Sequence, residues 1–62
     1  MCLSTVYKKN SDENILLCRN VARVLQNDGE IVLFDLFGKK TVIHGSIVDI
    51  DLMENNILVK ES

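Results

Sequence analysis

The chain has no proline and no tryptophan, one histidine, one tyrosine, two phenylalanines and two cysteines among 62 residues. Each shortage excludes something. A single histidine cannot complete a four-ligand zinc site within one chain, and Cys2 and Cys18 are not spaced like a finger or ribbon. Only Tyr7, Phe34 and Phe37 could stack on nucleic-acid bases, and two of these lie in apolar runs. There is no excess of positive charge: the formal net charge is −2, so nothing draws the chain to nucleic acid or anionic lipid overall. No nucleophile–base pair or phosphate-cradling glycine loop is present, so an enzyme is not expected. The longest apolar runs, Ile15-Leu16-Leu17 and Ile31-Val32-Leu33-Phe34, are far too short to cross a bilayer. The first residues lack the basic segment and apolar core of a signal peptide, so a cytoplasmic location is expected. A stable disulfide is not expected there.

What remains is apolar and short. At 62 residues the chain is one domain, 1–62, and a domain of this size buries only ~60% of the surface its unfolded chain exposes. Yet 47% of the residues are hydrophobic. That is more than so small an interior needs, and a second subunit would cover the surplus.

The patterning is that of strands. Residues 3–8 are rich in Thr, Val and Tyr, with Leu3, Thr5 and Tyr7 on one face and Cys2, Ser4 and Val6 on the other. A polar loop follows over residues 8–14. Residues 15–18 read as a short second strand, bounded by Glu13 and Arg19. In residues 20–26 the apolar positions fall at helix-like intervals. Two of them are β-branched and the run is only about two helical turns, so a strand is assigned. Asn27-Asp28-Gly29 is a hairpin signal. Residues 30–37 alternate between two nonpolar faces, as in a central or covered strand. Gly38-Lys39-Lys40 turns the chain, and Thr41, Val42 and Ile43 form a strand ending at His44-Gly45. In residues 46–52, Val48, Ile50 and Leu52 point one way and Asp49 and Asp51 the other, the pattern of a half-buried antiparallel strand. Glu54-Asn55-Asn56 is a turn, and residues 57–60 close the chain. The expected fold is all-β: a small barrel or sandwich of about six or seven short antiparallel strands, SH3-like or OB-like, without a helix longer than about one turn.

The chemistry is concentrated at Met1-Cys2. The Cys2 thiolate and an adjacent backbone nitrogen can close a five-membered ring on a soft metal. Further ligands must then come from the backbone or from a second copy. The other reactive side chains have plainer readings. Cys18 lies in an apolar run, as a core cysteine does. His44 stands at a strand end. Asp49 and Asp51 form a solvated face, and Lys8-Lys9 and Lys39-Lys40 are loop charges.

The opening Met1-Cys2-Leu3-Ser4-Thr5-Val6-Tyr7 resembles the start of the CooT family, small nickel-binding proteins associated with maturation of carbon monoxide dehydrogenase. Val21-Ala22-Arg23-Val24, Asp35-Leu36-Phe37 and Ile47-Val48-Asp49-Ile50-Asp51-Leu52 correspond to the later strands of that family. The likeness covers essentially the whole chain, but only Met1-Cys2 carries chemistry. It implies a homodimer that binds Ni(II) through Cys2, with Met1 supplying the terminal amine if retained. It also implies, as partner, a nickel enzyme such as carbon monoxide dehydrogenase or its maturation factors. Tetragonal nitrogen–sulfur coordination suits Ni(II), and two copies could complete four ligands on a twofold axis. The alternative is a small β-barrel RNA-binding module, which would need a basic groove with exposed aromatics.

Overall fold

The computed structural model describes residues 3–62. These form five strands: β1 (Ser4–Asn10), β2 (Glu13–Asn27), β3 (Glu30–Asp35), β4 (Lys40–Asp51) and β5 (Asn56–Glu61). They close a barrel in chain order. Successive strands pair antiparallel, and β5 returns to β1 in parallel. The parallel closure follows from the odd strand count, because the first and last strands of an up-and-down path run the same way. The all-β barrel is therefore as expected, except that one of its five pairings is not antiparallel. Residues 20–26 are strand, as assigned.

The count of six or seven strands is corrected to five. Residues 15–18 and 20–26 belong to the one 15-residue strand β2. Residues 41–43 and most of 46–52 likewise belong to the 12-residue strand β4. Arg19-Asn20 and His44-Gly45 are bends rather than ends. Asn20 takes a left-handed conformation at φ 56°, which asparagine tolerates better than most side chains. Up to Val21, just past this bend, β2 pairs with β1, and from Val21 onward it pairs with β3. β4 does the same about Gly45, pairing first with β3 and then with β5. Each long strand serves two ladders, which is how so few residues close a barrel.

The hairpin signal at Asp28-Gly29 is realised as a two-residue loop between the paired residues Asn27 and Glu30, with Gly29 at φ 70°. The loop expected over residues 8–14 shrinks to Ser11-Asp12, because the strands extend to Asn10 and from Glu13.

The core is aliphatic. Val6, Val21, Ile31, Leu33, Ile43, Ile57 and Val59 form one buried cluster, with Cys18, Val24 and Ile47 packed against it. β-Branched side chains dominate, as suits a pleated wall with one face inward. β3 has two nonpolar faces for the expected reason: Ile31 and Leu33 point into the barrel, while Val32 lies in an outer row between Leu25 and Val42.

One expectation fails. Val48, Ile50 and Leu52 are not the buried face of β4; they are 46%, 52% and 81% exposed. The alternation is broken by an irregularity between Ile47 and Asp49 in the ladder to β5. Ile47 is left as the inward residue and Val48 is set outside. Leu52 has already left the strand for the turn.

Candidate metal-binding end of the barrel

Met1 and Cys2, the ligands expected from the sequence, lie outside the described residues. The structure does describe what stands beside the start of β1. Ser4 is paired with Val21, and Val21 in turn with Asp35. Thr5 donates its backbone N–H to the carbonyl of Asn55 at 2.9 Å, and Leu36 donates to the carbonyl of Asn20 at 2.8 Å. β1 therefore starts between the β3–β4 turn and the β4–β5 turn.

Both turns are built alike. Asp35 closes β3, and its Oδ1 accepts the backbone N–H of Phe37 at 2.9 Å and of Lys39 at 2.8 Å. Asp51 closes β4, and its Oδ1 accepts the N–H of Met53 and of Glu54, each at 3.1 Å. An aspartate that ties down the amides just after it is a standard turn former. Sequence reading placed Asp51 on a solvated strand face and gave Asp35 no role. The signal was there: each aspartate ends an apolar alternation and precedes a bulky apolar pair. The pairs are Leu36-Phe37 and Leu52-Met53, with exposures of 55%, 86%, 81% and 92%.

The remaining candidates do not converge. Cys18 sits opposite Val6 and against the core, with its thiol directed to the Arg19 carbonyl at 3.6 Å. His44 is opposite Glu30 on the outer face, its Nε2 3.1 Å from the Glu30 carboxylate. Cys18 is on the part of β2 that pairs with β1, and His44 is on the part of β4 that pairs with β3. Asp49 and Asp51 flank a shallow groove with Tyr7, Asn14 and Asn56. These are oxygen and amide donors, a harder set than a thiolate. Among the described residues no three His, Cys, Asp or Glu side chains come together as a metal site.

The basic residues are dispersed. Lys8 pairs with Glu61 at 2.7 Å. Arg23 lies over the Phe34 ring, 5.7 Å from its centroid. Among the described residues no helix is long and apolar enough to cross a membrane.

A family profile described as "CO dehydrogenase accessory protein CooT" matches residues 1–60. The chain belongs to the CooT family. The match takes in Met1-Cys2, and the family is one of accessory proteins of carbon monoxide dehydrogenase. Among solved structures, the barrel is similar to the crystal structure of a putative CooT from Carboxydothermus hydrogenoformans. The TM-score is 0.90 over 98% of each chain, at 23% identity. At that identity the likeness establishes the fold alone. No curated protein matches the chain.

Proposed function

We propose that this CooT protein binds Ni(II) through the Cys2 thiolate and the N-terminal backbone nitrogens. In this reading it works as a homodimer, a metallochaperone or nickel store for maturation of carbon monoxide dehydrogenase. The observation that carries it is the family match over residues 1–60, which takes in Met1-Cys2. Two further points support it. The described residues offer no competing cluster of ligating side chains. The second cysteine is already committed to the barrel wall, half-buried against the core.

The donor set fits the ion. A thiolate and an adjacent backbone nitrogen form a five-membered chelate, and nitrogen–sulfur donors in a tetragonal arrangement favour Ni(II). One chain supplies about half of such a set, so the second copy completes it.

The test is a nickel titration followed by the thiolate-to-nickel charge-transfer absorbance. The parent protein develops the band, and Cys2→Ser loses both the band and tight binding while its far-UV circular dichroism is unchanged. Cys18→Ser keeps the band. An N-terminal tag, which moves the free amine away, weakens binding. Undiminished nickel affinity in both Cys2→Ser and the tagged protein would overturn the reading.

A further inference from the structure

One pair of basic side chains does meet, at the far end of β1 from its start. β1 and β5 run in parallel, and their pairing ends with Lys8 opposite Val59. Val59 is fully buried, so the next residues on the two strands, Lys9 and Lys60, turn to the outer wall side by side. Both are exposed. Like charges on adjacent strands repel, and a carboxylate nearby is the usual remedy. Neither lysine has one. Among the described residues the ion pairs are Lys8 with Glu61 and His44 with Glu30. Glu61, the acid next to Lys60 in the chain, is thus taken by Lys8 at 2.7 Å. A chain with nine acidic and seven basic residues leaves these two lysines without an acidic partner.

The two lysines also share a cleft. Lys9, Ser11, Val48 and Lys60 line a hollow of about 370 Å³. Ser11 stands in the β1–β2 turn in a left-handed conformation, at φ 52°. Val48 is the residue that the irregularity in β4 sets outside, 46% exposed. Bulges of this kind often re-aim a side chain beside a functional site. The lining therefore offers two ammonium groups, one hydroxyl and one aliphatic wall, with no carboxylate and no aromatic ring. Two exposed lysines alone would be solvated charges. A shared cleft lined by both, with a hydroxyl beside them, is a place where one anion can meet all three groups.

The donor set selects the ligand. Lysine is a point charge suited to phosphate, whereas a carboxylate is matched better by the planar fork of arginine. A phosphate monoester carries about −1.5 to −2 charges at pH 7 and three acceptor oxygens, so two ammonium groups and a hydroxyl match it in charge and in number. The cleft has the size of a small-molecule site, roughly 300–1,000 Å³, which leaves room for more than a bare phosphate. It has no ring on which a nucleobase could stack. We infer that this cleft binds a phosphoryl dianion, either free phosphate or a small phosphate monoester. Lys9 and Lys60 supply the charge and Ser11 a further hydrogen bond, and Val48 packs on the organic part of an ester. The site is separate from the nickel reading and does not depend on it.

The experiment is a titration of the nickel-free, isotope-labelled protein with glycerol 3-phosphate, followed by backbone amide chemical shifts. Inorganic phosphate, acetate and sodium chloride at matched ionic strength are the comparison arms. With glycerol 3-phosphate the shifts saturate and cluster at Lys9, Ser11, Val48 and Lys60, with a dissociation constant on the order of 1 mM or tighter at low ionic strength. Lys9→Gln/Lys60→Gln changes two exposed side chains, so it keeps the parent circular dichroism spectrum, and it loses at least tenfold in affinity. Lys39→Gln/Lys40→Gln, a basic pair outside the cleft, keeps the parent affinity. A monoester that binds more tightly than inorganic phosphate identifies the organic source, and equal affinities identify free phosphate; either result supports the site. Shifts no larger than those with acetate or sodium chloride overturn the inference. So do shifts spread over all the lysines, or an affinity that Lys9→Gln/Lys60→Gln leaves unchanged.

Discussion

Gly45→Ala is the substitution whose cost the structure sets most directly. Gly45 is where β4 leaves β3 and joins β5, and it is buried. A Cβ built there would meet the carbonyl oxygen of Lys60 well inside contact distance and lie 2.9 Å from the Glu61 Cα. Both are backbone atoms, so no side chain can swing aside. Either the end of β5 moves away or the bend in β4 opens. The first route loses the Gly45–Glu61 and Ser46–Lys60 pairings and the bond from Ser62 N–H to the His44 carbonyl. At ~1 kcal/mol for each backbone hydrogen bond, the cost is about 3 kcal/mol. A chain of 62 residues has a total stability of roughly 3–9 kcal/mol, so the variant keeps little margin. Its Tm should fall by roughly 12–24 °C. The comparison is with Gly29→Ala and Gly38→Ala. There a Cβ would meet nothing within 4 Å, and the cost comes only from φ of 70° and 84°. Left-handed backbone costs an L-residue about 1–2 kcal/mol. The assay is urea and thermal unfolding by far-UV circular dichroism, at one protein concentration for all variants, since any assembly would couple to stability. Gly45→Ala unfolding at or above the midpoint of Gly29→Ala would refute the argument that a close backbone crossing, and not the φ value, governs this position.

Three other outcomes follow from the same structure. Leu33→Ala removes a fully buried side chain from the centre of the cluster and should cost about 2–5 kcal/mol in urea unfolding, with the slope unchanged. Asp35→Ala takes the acceptor from Phe37 and Lys39; water can replace it at this exposed site, so stability should drop by only ~1 kcal/mol in urea unfolding. On the proposed Cys2 site nickel would compete with the thiol proton, so apparent affinity should fall about tenfold for each pH unit below the thiol pKa, as read by titration at several pH values.

The fold was legible wherever a local rule decided the outcome. Asp28-Gly29 fixed its hairpin because two residues with positive-φ tolerance leave the chain one short way to turn. β-Branched Val21 and Val24 outweighed the helix-like spacing of residues 20–26, since two turns of helix cannot stand without support. Strand ends were harder to see. Arg19 and His44 look like terminators, yet both are exposed, so their polar side chains stay in water while the backbone runs on through Asn20 and Gly45. Asp35 and Asp51 were hidden for a related reason. Their role lies in which amides the carboxylate reaches, and that depends on where each strand stops.

The sequence by itself determined the strand content, the tight hairpin and the aliphatic core. These follow from propensity and from period-two alternation, both of which act over a few residues. Only the tertiary structure decided which nonpolar face of each strand is inside. It put Ile47 against the core and Val48 outside, because a break in register interrupts the alternation and register is set by the neighbouring strand. It also decided that Leu36-Phe37 and Leu52-Met53, 15 or more positions apart in the chain, flank the same strand start. Barrel closure brings them there, and closure is a property of five strands together.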